Sequence, residues 1–220
     1  MPENLLITLS DPLSPISEAY RTLRMNLQYA SLDKPLRTLL VTSPGPGEGK
    51  STTLANLAVT MAQVDRKVII ADCDLRRPYL HQLFGLRNDV GLTTMMVEDE
   101  ALETPPLQET GVEGLQLLAS GPLPPRPADL LGSQRMEKVV AKLLEKADMV
   151  LFDGPPIMAA ADSIVLSTKV DGVLLVVSAG ETKRENAQQA VERLKRVNAN
   201  IVGAVLNNAP LRTAIPGYYQ

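Results

Sequence analysis

The chain has 220 residues, 45% of them hydrophobic and 21% charged, with a formal net charge of −3. This length supports one domain with a full core, and the mildly negative balance argues against nucleic acid as the main partner. A lone cysteine, Cys73, excludes an internal disulfide and fits a reducing cytoplasm.

The N-terminal stretch MPENLLITLSDP has neither the basic start nor the apolar block of a signal peptide. The first helix is predicted over 14–30, with Ser14 as N-cap and Pro15 at the first helical position, where its missing N–H costs nothing. Ile16, Ala19, Tyr20, Leu23, Leu27 and Ala30 recur at helical spacing behind them. A buried strand, RTLLVTS (37–43), runs into a glycine-rich turn, and a helix over 51–64 follows. KVIIAD (67–72) reads as a second strand, too apolar for a one-sided sheet. Next come EDEALETPPLQETG (98–111), an acidic surface connection, and GLQLLAS (114–120), a strand. SGPLPPRPADLL (120–131) reads as a stiff proline loop. Helices over 134–147 and 183–199 alternate with strands over 149–153, 172–178 and 200–207. The longest apolar runs, such as VLLVV (173–177), are far too short to cross a bilayer. Such alternation implies a mainly parallel sheet with helices on both faces. The expected division is one domain over 1–208 and a flexible tail over 209–220.

SPGPGEGKST (43–52) lies between a strand and a helix, the context that a phosphate-cradling turn requires. Gly47 and Gly49 let backbone N–H groups approach phosphate oxygens, and the helix beginning near Lys50 adds its positive end. Lys50 is placed to neutralise the β- and γ-phosphates, Ser51 to complete a Mg²⁺ shell and Thr52 to meet the α-phosphate. Two strands end in Asp72-Cys73-Asp74 and Asp153-Gly154-Pro155-Pro156, and parallel strand ends gather beside the phosphate turn. Three carboxylates are therefore expected there. Cys73 points away from both neighbouring aspartates and reads as a packed thiol, and His81 as a locally packed side chain.

Together these segments resemble the bacterial tyrosine kinases of capsule and exopolysaccharide assembly, a deviant Walker, MinD-like branch of the P-loop NTPases. The resemblance rests on Walker A SPGPGEGKST, Walker A′ VIIADCDLRRP (68–78) and Walker B MVLFDGPP (149–156), with SPISEAYRTLR, SGPLPPRPADLL and VDGVLLVVSAGET as supporting segments. Gly45 stands where the partition and division-site ATPases carry an extra lysine, and Pro44 replaces the first P-loop glycine. The resemblance implies that Gly47, Glu48, Gly49, Lys50, Ser51 and Thr52 grip ATP and Mg²⁺, and that Asn207 contacts adenine. It also implies that Asp72 and Asp74 serve the metal and the substrate hydroxyl while Asp153 supports the metal.

A free tyrosine hydroxyl has a pKa of about 10 and needs a base or a metal to attack at neutral pH. Asp72 is the first choice for that base and Asp74 the competitor. Arg76 and Arg77 are either phosphate-steadying groups or a solvated surface pair. Tyr218 and Tyr219 in PGYYQ are the candidate acceptors, transferring in trans between subunits. Glu18, Arg21 and Arg24 share one flank of the first helix; spacing alone suggests intrahelical pairing, whereas the family resemblance implies a ring-forming motif. A transmembrane activator that recruits the chain to the inner membrane face and a cognate phosphatase are implied partners. The rival readings are a MinD- or ParA-like switching ATPase and a nucleotide-gated scaffold.

Overall fold

A computed structural model describes residues 6–30 and 35–210. Seven strands build one sheet: β1 (Thr38–Thr42), β2 (Val68–Asp72), β3 (Gln108–Glu109), β4 (Leu115–Leu118), β5 (Met149–Asp153), β6 (Gly172–Ser178) and β7 (Ile201–Asn207). Their order is β3-β4-β2-β5-β1-β6-β7. Every pairing is parallel except that of β3 with β4.

Both faces are covered. Leu39 and Val41 of β1, with Val68 and Ile70 of β2, pack on one side, against the layer of α1 (Ile7–Ser10), α2 (Pro15–Tyr29), α3 (Lys50–Ala62) and α4 (Leu80–Phe84). Leu40, Ile69, Ala71 and Phe152 pack on the other. That side carries α5 (Leu92–Val97), α6 (Asp99–Glu103), α7 (Pro127–Gly132), α8 (Gln134–Leu144), α9 (Asp162–Leu166) and α10 (Arg184–Arg196). Two-sided burial explains why the strands read as continuous apolar runs rather than alternating ones.

Ser14 caps α2 as expected: its hydroxyl accepts the Ser17 N–H at 3.1 Å, and Pro15 occupies the first turn. At the far end of β1 from the glycine turn, Asp171 accepts the N–H groups of Arg37 and Thr38 and the Thr38 hydroxyl, fastening β1 to the start of β6. Two expectations are corrected. The 98–111 connection contains α6 and the antiparallel β3, and the proline loop closes into α7 after Arg126. Tyr218 and Tyr219, with most of the expected tail, lie outside the described residues.

Candidate active site

The strand order sets the site. β5 lies between β1 and β2, with Asp153 level with Val41 on one side and with Asp72 on the other. The turn after β1 therefore rises beside both acidic strand ends. Gly47 and Gly49 have φ of +78° and +84°, a left-handed region that L side chains rarely adopt. Their conformation folds the turn back so that α3 starts at Lys50.

Lys50 holds the acidic residues together. Its Nζ lies 3.0 Å from Asp74 Oδ2, 3.2 Å from Asp153 Oδ1 and 3.2 Å from Ser51 Oγ. Burial alone would lower its pKa; Asp153 and Asp74 overcome that and hold it above the ordinary lysine value, so it is cationic at neutral pH. Asp72 is committed differently. One of its oxygens accepts the N–H groups of Tyr79 and Leu80 at 2.9 and 3.0 Å, and the other accepts the Asp74 N–H at 3.3 Å. Burial, reinforced by the neighbouring Asp153 charge, pushes its pKa up to about 8. Burial likewise raises Asp153, against the pull of Lys50.

Asp153 Oδ2 is buried with no hydrogen-bond partner among the described residues, a costly state for a carboxylate oxygen. Among the described residues no group of three His, Cys, Asp or Glu side chains is arranged to enclose a metal. One orphaned carboxylate oxygen beside a serine hydroxyl instead fits Mg²⁺, which is commonly held through one or two carboxylates plus substrate phosphates. Ser51 and Asp153 suit that role; Asp72, with both oxygens on backbone N–H groups, suits it less well.

The other candidate residues fall around this centre. Thr52 follows Ser51 in the first turn of α3. Asn207, ending β7, donates its amide to the Glu48 carbonyl at 3.1 Å and rests against Gly49, where a Cβ would lie 2.1 Å from Asn207 Nδ2. The Glu48 carboxylate is turned into the protein, onto Gly45 and Thr182. Arg76, half-exposed, grips the fully buried Asp162 bidentately, at 2.8 and 3.1 Å. Arg77 is exposed. Cys73 is wholly buried in the core, with its thiol pKa pushed up by burial and then by the neighbouring aspartates, as expected of an inert thiol.

Glu18 pairs with Arg21 within α2 at 2.9 Å, and Arg24 lines a small cavity with Leu27, Leu36, Met61 and Met149. Sequence reasoning missed Asp162 and Thr182. Each meets its partner across 86 or 134 residues of chain, a distance at which no local pattern signals contact.

Among the described residues no helix is long and apolar enough to cross a membrane. A protein-family model described as ParA, NUBPL iron-transfer P-loop NTPase, matches residues 35–214. The chain is 42% identical over 215 residues to tyrosine-protein kinase YwqD of Bacillus subtilis, covering 97% of this chain and 90% of that one. Among solved structures, the chimerical protein CapA2B2 superposes with a TM-score of 0.89 at 34% identity, over 94% of this chain and 90% of its own. The kinase domain of the Escherichia coli tyrosine kinase ETK superposes with a TM-score of 0.86 at 31% identity, over 95% and 82%. The chain belongs to the bacterial tyrosine kinases, built on a ParA-type P-loop NTPase fold.

Proposed function

We propose that this kinase transfers the γ-phosphate of ATP to Tyr218 or Tyr219 on the tail of a sister chain. The observation that carries the reading is the meeting of Lys50, Asp74 and Asp153 at the mouth of a glycine turn. That arrangement supplies the positioning and charge neutralisation that phosphoryl transfer demands. Lys50, held cationic, would balance charge on the departing phosphate. Bound Mg²⁺ would neutralise the β- and γ-phosphate oxygens, with Ser51 Oγ and Asp153 Oδ2 as the atoms to hold it.

In the transfer, the tyrosine oxygen bonds to the γ-phosphorus as the bond to the β–γ bridging oxygen breaks. ADP leaves with that oxygen, and the phenolic proton passes to a carboxylate. Asp74 is favoured over Asp72 as that acceptor. Asp72 is fully buried, satisfied by three backbone N–H groups and biased toward its protonated form. Asp74 sits two residues further out and engages Lys50 directly.

The reading extends to a ring of subunits built through Glu18, Arg21 and Arg24. A transmembrane activator would recruit the chain to the inner membrane face, and a phosphatase would reset the tail. Each added phosphate brings nearly two negative charges, so a phosphorylated tail would loosen the ring and pace exopolysaccharide assembly.

The test is incubation of purified protein with ATP and Mg²⁺, followed by mass-spectrometric mapping of phosphate. Label on Tyr218 or Tyr219 that disappears in Lys50→Met supports the autokinase. Phosphate release without labelled tyrosine would make the chain a switching ATPase, and bound nucleotide without either product a scaffold.

A further inference from the structure

A carboxylate in a turn that receives polyphosphate carries the wrong sign of charge for its ligand, yet Glu48 stands in the middle of this one. It is 6% exposed, and both of its oxygens are used internally. Oε2 accepts the Gly45 N–H at 3.1 Å, from within the same turn. Oε1 accepts the Thr182 hydroxyl at 2.6 Å, from the loop between β6 and α10. Thr182 Oγ1 in turn accepts the Ser178 N–H at 2.8 Å, and the Thr182 N–H donates to the Ser178 carbonyl at 3.0 Å, so the anchor is itself fixed to the end of β6. The Glu48 carbonyl accepts the Asn207 amide at 3.1 Å, fixing the same residue from the end of β7.

We propose that Glu48 and Thr182 are a positioning pair. Glu48 binds no ligand; it braces the turn in its phosphate-ready curvature, with Thr182 as the external anchor. Through Gly45 it holds the entry to the turn, through its own carbonyl the exit, and through Thr182 it ties both to the sheet. A turn already held in shape loses less conformational freedom when a ligand arrives. The inference rests on the reading that this turn receives ATP, but the brace itself can be measured without nucleotide.

The experiment compares wild type, Thr182→Val, Glu48→Gln, Glu48→Ala and the double variant Glu48→Ala/Thr182→Val. Two readouts are amide hydrogen exchange over residues 44–49 without nucleotide and equilibrium titration with a fluorescent ATP analogue. A third is the split between KM for ATP and kcat. Valine keeps the shape of Thr182 and removes only the hydroxyl. A hydrogen bond to a charged group is worth a factor of roughly ten or more in equilibrium. Thr182→Val is therefore expected to bind the analogue about tenfold more weakly, to exchange faster at Gly45, and to carry its kinetic loss in KM rather than kcat.

Glu48→Gln can keep its carbonyl on the Gly45 N–H and turn its NH₂ toward Thr182, so it should lie between wild type and Glu48→Ala. The double variant should be little worse in affinity than Glu48→Ala alone, because the Thr182 hydroxyl reaches the turn through Glu48. Additive losses, or a Thr182→Val protein with wild-type exchange and affinity, would overturn the proposal. Should Glu48→Ala fail to fold, Thr182→Val and Glu48→Gln decide the matter. A wild type that binds no analogue would sink the ATP reading, while exchange at Gly45 would still report on the brace.

Discussion

Asp72 and Asp153 are register partners on adjacent parallel strands, both with no exposed surface, and each is held above the ordinary aspartate pKa. Burial is the main cause for both, and the Asp153 charge adds to the rise at Asp72. Two buried carboxylates packed side by side resist double ionisation, and Lys50 offsets only part of that.

Stability should therefore fall as pH rises toward 8 in the absence of nucleotide and metal. With Asp72 near 8 in the fold and about 4 in the unfolded chain, the folded protein keeps a proton that the unfolded chain has lost. The contribution is full below about pH 4 and disappears as pH rises through the folded value. Its slope is at most about 1.4 kcal/mol per pH unit, or about 3–6 °C in Tm per unit for a chain this long. His81, which burial shifts downward, acts in the opposite sense below its ordinary pKa, so the window to read is about pH 6.5–8. Thermal melts across that window should slope downward in wild type and flatten in Asp72→Asn. Equal slopes in the two proteins would contradict the assignment.

Lys50→Met should abolish tyrosine labelling and also destabilise the apo-protein in a pH-dependent way. Removing the only cation among the described residues that touches Asp74 and Asp153 leaves buried charge without its partner, a change costing about 3–5 kcal/mol when the carboxylates stay ionised. Asp153, raised by burial and no longer pulled down by Lys50, takes up a proton as pH falls, and the penalty shrinks. Denaturation of the variant should accordingly show a larger loss at pH 8 than at pH 6. A loss independent of pH would mean that Lys50 stabilises through packing rather than charge.

Most of the sheet was legible because its strands are buried on both faces and so appear as apolar blocks. Met149–Asp153 and Gly172–Ser178 match their expected bounds, and the ends of Val68–Asp72 and Ile201–Asn207 shift by no more than one residue. The short elements were not legible. Ile7–Ser10, Leu80–Phe84, Leu92–Val97, Asp99–Glu103 and Asp162–Leu166 are all under two turns long, too short for a 3.6-residue period to show. At the site, local motifs identified Lys50, Asp74 and Asp153, whose strands end at a common rim. What ties the rim together was invisible, because Arg76–Asp162 and Glu48–Thr182 join residues far apart in the sequence.

The Arg76–Asp162 pair gives a prediction with a built-in asymmetry. Asp162 is fully buried whereas the Arg76 side chain is 48% exposed. Arg76→Ala leaves a buried carboxylate alone and should cost about 1–3 kcal/mol, discounted for the half-exposed guanidinium. Arg76→Lys should recover little, since an ammonium cannot make the two parallel bonds of the guanidinium. Asp162→Asn removes the charge along with the pair and should be the milder change. Chemical denaturation of the three variants gives the ranking; Arg76→Lys matching wild type would show that the bidentate geometry is immaterial.

Gly49 is constrained twice, by its backbone and by Asn207. Its φ of +84° would cost an alanine about 1–2 kcal/mol, and the added Cβ would lie 2.1 Å from Asn207 Nδ2. Gly49→Ala must therefore displace the asparagine and break its bond to the Glu48 carbonyl. Truncating Asn207 removes the clash but not the backbone strain. Gly49→Ala/Asn207→Ala should consequently be more stable than the sum of its single variants predicts, while remaining below Asn207→Ala alone. A double-mutant cycle by urea denaturation measures this coupling. Strict additivity would mean that the asparagine swings aside freely, and that its contact with the turn contributes little to holding the end of β7 in place.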